Sequence, residues 1–355
     1  MNVRAWTVIG LLVSLAAPTQ AAVYDCVALQ AKGSEPRSLA WAMNNKGHVA
    51  GQATFPIKGF SGGAAALWKQ HDRAPKNLAA DIEGTADSQA WDLNDRGQVV
   101  GAASPTCDQC DGERKPFLWQ AGVSTELPML TGGDWRSGEA LSINNKGRIV
   151  GWNFIDGMTY AVLWRDGKAV NLPSLGSLTG QGQTPTTALF INNDNVVVGS
   201  SLRALGDDHD VAVRWDAQGR ITELDGSAAR SVNRAGTVVG QRNGQAVAWR
   251  NDKPVMLSVD ADADADADAG ASVALDINES GTIVGSISTS AGTAAVVWPG
   301  LHQQPQKLTS LVGNACGLAG SFEFESANDI LDNGQILVTG YREPFLRTAF
   351  VLTPR

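Results

Sequence analysis

The chain has 355 residues, 43% of them hydrophobic and 18% charged. That composition belongs to a folded protein with a sizeable core and excludes a disordered tail. A formal charge of -8 without clustered Lys and Arg excludes nucleic acid and anionic lipid as main partners, because phosphate binding needs such clusters.

At the start of the chain Arg4 precedes an apolar run from Ala5 to Ala17, followed by small residues ending Thr19-Gln20-Ala21. This order predicts a secretory signal peptide over 1–21 and a single mature domain over 22–355. The run is shorter than the roughly 20 residues a membrane-spanning helix needs. No later stretch is longer, so no membrane span is expected in the mature chain. Loss of the leader with Arg4 takes the formal charge from -8 to -9. An exported protein, periplasmic or extracellular, folds in an oxidising compartment. Its four cysteines, Cys26, Cys107, Cys110 and Cys316, are therefore expected in disulfides.

The next elements are repeats. MNNKGHVAG (43–51), LNDRGQVVG (93–101), INNKGRIVG (143–151), INNDNVVVG (191–199), VNRAGTVVG (232–240) and INESGTIVG (277–285) share one pattern, and ILDNGQILV (330–338) is a degenerate seventh copy. The marker asparagines are Asn44, Asn94, Asn144, Asn192, Asn233 and Asn278, with Leu331 in seventh place, so the steps are 50, 50, 48, 41, 45 and 53 residues. Each marker is preceded four positions earlier by alanine: Ala40, Ala90, Ala140, Ala188, Ala229, Ala274 and Ala327. Downstream comes an apolar run ending in Trp68, Trp119, Trp164, Trp215, Trp249 and Trp298, with Leu352 in the last copy. A short polar turn and a weaker segment follow.

These pieces are short, rich in Val, Ile and aromatics, and bounded by Gly, Asn and Asp, which is how strands read. Four strands per repeat and seven repeats predict an all-β fold, a seven-bladed β-propeller of four-stranded blades. The repeats run over about 38–87, 88–136, 137–186, 187–226, 227–271, 272–320 and 321–355 plus 22–31. The constant alanine is expected on the innermost strand, where seven copies converge on the axis and leave no room for a large side chain. In the turn, Gly147 supplies a positive φ, and Asn195 replaces that glycine because asparagine also tolerates it. The last copy lacks a fourth strand and VYDCVAL (23–29) lacks a partner. Pairing beside residues 349–353 closes the ring and removes the open edge. Cys26 then lies in blade seven and Cys316 in the connection entering it, which predicts a Cys26–Cys316 disulfide.

The repeated IN-x-x-G-x-V-V-G turn over residues 38–355 resembles the HAF-type extracellular repeat family. The His-Ala-Phe triplet of that family is absent; Thr348-Ala349-Phe350 and forms such as Ala161-Val162 stand in its place. The resemblance implies an exported repeat protein without an assigned activity.

Groups with apparent chemistry follow in chain order. GFSGG (59–63) matches the G-x-S-x-G pattern of a serine hydrolase, but it lies between two strands of one blade, without the strand, elbow and helix that such a serine needs. In CDQC a local Cys107–Cys110 bridge is expected over zinc, since no second CxxC or histidine pair completes four ligands. Trp135, in the connection TGGDWRSG, offers a ring that a sugar could stack on. GDDHD sets Asp207, Asp208 and Asp210 around His209, where carboxylates can raise the histidine pKa or hold a cation. DADADADADAG (260–270) carries Asp262, Asp264 and Asp266 as weak calcium candidates; it lacks the turn glycine and bidentate Glu of a calcium loop, and a low-complexity insertion accounts for it. No cofactor is expected.

Variable lengths are concentrated between the second and third strands and between blades, and in an up-and-down blade both connections emerge on one face. Binding residues favour variable loops on a rigid scaffold. The expected function is therefore non-enzymatic recognition of a protein or glycan ligand by a monomer, through that face. The alternatives are a structural envelope or matrix component and a glycan-active propeller enzyme.

Overall fold

A computed structural model describes residues 23–355 apart from 32–36, 56–62, 70, 72–73, 79–84, 106–112, 134–135, 260–270, 291, 314–315, 317–322 and 344–345. Seven four-stranded antiparallel sheets stand in a ring. The architecture is the expected seven-bladed propeller. In blade three the order from the axis outward is Arg136–Ile143, Ile149–Ile155, Met158–Arg165 and Lys168–Asn171. Blade seven takes its outermost strand from the N-terminus: Tyr24–Ala28 pairs with Leu346–Pro354, Tyr24 opposite Pro354 and Ala28 opposite Phe350. Cys26 and Cys316 form a disulfide across the connection into that blade, with Cα atoms 4.9 Å apart.

The alanine position is on the innermost strand, but the axis is not what restricts it. Ala40, Ala90, Ala140, Ala188, Ala229, Ala274 and Ala327 are all fully buried in apolar clusters that join neighbouring blades. A larger side chain would strike the preceding blade. The residue after each alanine is a β-bulge: in blade three Ala140 pairs with Gly151 and Ser142 with Val150, leaving Leu141 unpaired. The same shift recurs in every blade. A bulge re-aims one side chain, and here it turns Trp41, Trp91, Leu141, Leu189, Arg230, Leu275 and Asn328 into the central channel.

The last glycine of the repeat follows from the bulge. A Cβ on Gly151 would lie 1.9 Å from the Glu139 carbonyl oxygen, and Gly101 and Gly199 meet equivalent carbonyls at 1.9 and 2.0 Å. In the third strands Trp68, Trp164, Trp215, Trp249 and Trp298 donate their indole N–H to backbone carbonyls of Gln30, Pro128, Pro173, Asp225 and Ser258 at 2.6–3.1 Å. Each tryptophan thus ties its blade to the connection entering it. A buried indole with that bond made contributes apolar area without an orphaned donor.

Candidate functional site

The marker asparagines are inter-blade ties. Asn144 Oδ1 accepts the N–H groups of Lys146 and Arg148 in its own turn, both at 3.0 Å. Its Nδ2 donates to the Asn192 carbonyl of the next blade at 3.0 Å. The pattern runs from Asn44 to Asn94, Asn94 to Asn144, Asn192 to Asn233, Asn233 to Asn278 and Asn278 to Leu331 at 3.0–3.3 Å. Leu331 has no side-chain amide, so the chain of bonds stops at the junction of blades seven and one. The neighbouring position repeats the device outside it: Asp95 N–H donates to Asn145 Oδ1, Asn145 N–H to Asn193 Oδ1, and Glu279 N–H to Asp332 Oδ1. The polar turn is committed to joining blades.

Above this ring the channel holds a cavity of about 320 Å³. The seven bulge residues line it, together with Asp92, Asp276 and Asp329, and its rim includes Asp95, Glu279 and Asp332. Trp41 and Trp91 meet at 4.4 Å between ring centroids, their planes tilted by 52°. Blade five stands opposite the junction of blades one and two, so Arg230 faces this pair across the channel.

The three inner aspartates were not singled out by motif reasoning. Their signal is a position, two before the marker, that reads Ala42, Asp92, Ser142, Phe190, Ser231, Asp276 and Asp329. Asp92 accepts the Leu93 N–H at 2.7 Å, and the Ile143 N–H and Ser142 hydroxyl at 2.8 Å. Asp276 accepts the Ser231 hydroxyl at 2.6 Å and the Ile330 N–H at 2.9 Å. Asp329 accepts the Met43 N–H across the seven–one junction. All three keep some surface toward the channel, yet protein encloses them. Burial pushes Asp92 up to about 7 against its hydrogen bonds. Burial, then the charge of Asp276 and a hydrogen bond shared with it, drives Asp329 well above the ordinary carboxylate range. Asp329 thus keeps its proton more readily than an ordinary carboxyl group.

On the opposite face, Arg114 meets Glu139 at 2.7 Å and also donates to Gln89. Burial raises Glu139, opposed by Arg114 and by Trp91. Asp207 closes its own loop by accepting the Ala204 N–H at 2.9 Å. Asp208 and His209 pair at 3.5 Å with both side chains almost fully exposed. Asp210 lies instead within the field of Arg230. Both residues are exposed at their tips, yet partial burial raises Asp210 and lowers Arg230, each opposed by the other's charge. The structure thus separates the four ionisable residues of GDDHD into three settings. Among the described residues no three of His, Cys, Asp and Glu converge as a metal site. Trp135, Cys107, Cys110, Asp262, Asp264, Asp266, Ser61 of GFSGG and the leader over 1–21 lie outside the described residues.

The loop bearing Asp207–Asp210 is knitted to the connection entering blade four. Leu202 N–H donates to the Pro185 carbonyl at 2.9 Å, Thr184 Oγ1 to the Leu202 carbonyl at 2.6 Å, and Leu175 N–H to Ser201 Oγ at 3.1 Å. The two segments carry Leu178 and Leu205, each 65% exposed.

No family model matches the chain, and no curated protein matches it. Among solved structures it is similar to YCF48 from Cyanidioschyzon merolae, with 8% identity, a TM-score of 0.50, and coverage of 92% of this chain and 98% of that one. It also matches the Pyrococcus horikoshii acylaminoacyl peptidase at 13% identity and a TM-score of 0.45, over 86% of this chain and 50% of the peptidase. At such identities the likeness is one of fold alone.

Proposed function

We propose that the chain is an exported, non-enzymatic repeat protein of the HAF-type kind that recognises a protein or glycan partner through its variable-loop face. The observation that carries this reading is the pair of interlocked loops at blade four. They present Leu178 and Leu205, each 65% exposed, beside the charged run Asp207–Asp210 on backbone already fixed by hydrogen bonds. Loops ordered in advance lose little entropy on binding, and exposed apolar groups rimmed by polar ones are what a partner covers. The Cys26–Cys316 disulfide supports export, since such bonds persist in oxidising compartments. No helix among the described residues is long and apolar enough to cross a membrane.

The test uses residues 22–355, wild type beside a Leu178→Asp/Leu205→Asp variant, on a glycan array and against immobilised extracellular proteins. A discrete set of ligands retained by wild type and lost by the variant is expected. Identical profiles, or no ligand at all, would contradict it. A second reading, a glycan-active enzyme, draws on the convergence of Asp92, Asp276 and Asp329. Glycoside hydrolysis, however, needs two carboxyl groups with oxygens free for sugar and water, and these accept backbone N–H groups of the next blade.

A further inference from the structure

The carboxylates of the channel exceed what the scaffold requires. At the position two before the marker, Ser142 accepts the Ile191 N–H at 3.3 Å, as Asp92 accepts that of Ile143; a neutral hydroxyl performs the same inter-blade task. At the rim, Asn145 and Asn193 accept the neighbouring N–H at 2.8 Å, as Asp332 accepts that of Glu279. Acidic side chains nonetheless stand at Asp92, Asp95, Asp276, Glu279, Asp329 and Asp332, all lining one cavity, against a single basic residue, Arg230, among its described lining residues. Arg230 lines the cavity opposite the tryptophan pair and is the charge that opposes a cation there. The neighbouring Arg234 reaches Asp194 at 3.9 Å outside the cavity.

The second feature is aromatic. Trp41 and Trp91 occupy bulge positions that in blades three, four and six hold leucine. They remain half-buried, with their free surface facing the cavity. A tryptophan face attracts a cation, most strongly where water is excluded, and the surrounding carboxylates supply the counter-charge. The volume of about 320 Å³ lies at the lower end of the roughly 300–1,000 Å³ typical of small-molecule sites. An anionic ligand would meet the carboxylates, and a bare metal ion would have no use for the tryptophans.

We propose that the channel cavity binds a small organic cation, an alkylammonium, against the Trp41–Trp91 pair and within the carboxylates of Asp276, Glu279 and Asp332. The site opens between the seven turns, at the opposite end from the loops of blade four, and stands whether or not those loops bind a partner. Calorimetric titration of the disulfide-intact full chain with tetramethylammonium chloride should give saturable binding. Sodium chloride at matched ionic strength and sodium acetate should give none.

The double variant Glu279→Gln/Asp332→Asn keeps both backbone acceptors while removing two charges, and should weaken binding about tenfold. Arg230→Met should tighten it, and Trp41→Ala should abolish it. Spermidine and a tri-lysine peptide in parallel titrations distinguish a free polyamine from a lysine side chain as the source of the ammonium. Absence of saturable binding at millimolar probe overturns the proposal. So does an affinity unchanged in the folded Glu279→Gln/Asp332→Asn protein, or a preference for acetate.

Discussion

Single residues in this fold answer to different constraints even when they are chemically identical. Gly157 and Gly151 belong to the same blade. Gly157 has φ of +89° with nothing within 4 Å of a would-be Cβ, whereas on Gly151 that atom would fall 1.9 Å from a backbone oxygen. Gly157→Ala should cost about 1 kcal/mol through backbone strain alone. Gly151→Ala should cost more than about 3 kcal/mol or prevent folding, since the bulged strand cannot retreat from the blade behind it. Urea denaturation of the two variants checks the contrast, and equal costs would refute the role assigned to the bulge. Asp92 makes a pH-dependent prediction. The folded protein keeps its proton up to about 7, against 3.8 for the unfolded carboxyl. Between those values the native state binds more protons, so this contribution is fully present below about pH 4 and is lost as pH rises through about 7. Asp92→Asn retains an acceptor for the Ile143 N–H and cannot ionise. It should flatten the fall in Tm between about pH 5 and pH 8 and gain on the order of 1–2 kcal/mol at the upper end, a figure reduced for water in the channel. Parallel Tm curves for the two proteins would place the pH dependence elsewhere.

At the scale of strands and turns, much was legible because the repeat shows each element seven times. INNDNVVVG exposed the turn conformation, and Asn195 has φ of +66° where the other copies have glycine. The seven alanines located the innermost strand, and the unmatched VYDCVAL located closure. What the sequence concealed was the bulge. A residue left out of a ladder has no composition of its own, and Trp41, Leu141 and Arg230 share nothing except their place after alanine. The inner aspartates were hidden for the same reason, because their role depends on the N–H of another blade, 51 residues away for Asp92 and 286 for Asp329. The tryptophans of the third strands, by contrast, were visible as a pattern although their purpose was not. Trp215 donates to the Pro173 carbonyl at 2.8 Å. Trp119 Nε1 is buried without a hydrogen bond among the described residues, and Lys76 lies 4.9 Å from the centroid of its ring. Trp215→Phe should therefore cost about 1 kcal/mol more than Trp119→Phe, the net worth of one buried bond. Thermal melts of the two variants measure the difference directly.

For the whole molecule the decisive feature is that the ring is not uniform. The marker asparagine amides bridge every junction except that between blades seven and one, where Leu331 breaks the series. Different bonds hold that junction. Asp329 accepts the Met43 N–H, Asn328 Nδ2 donates to the Ala40 carbonyl at 2.8 Å, and Ser38 Oγ accepts the Ala349 N–H at 3.1 Å while donating to the Leu29 carbonyl. The first strand and the Cys26–Cys316 bond then fasten the same sector, and Tyr24, Cys26, Ala28 and Cys316 pack on the cluster that contains Leu311 and Phe324. Closure of a propeller by its two chain ends concentrates its weakness where the ends meet, because no peptide bond reinforces that blade. Reduction of the disulfide should thus lower stability by about 2–5 kcal/mol, and the loss should be local before it is global. Hydrogen exchange on the reduced protein should show Tyr24–Ala28 and Leu346–Pro354 exchanging first, with Arg136–Ile143 and Thr186–Ile191 still protected. A uniform rise in exchange across all blades would mean that the asparagine ties transmit the opening around the ring, and that blade seven is not an independent unit of unfolding.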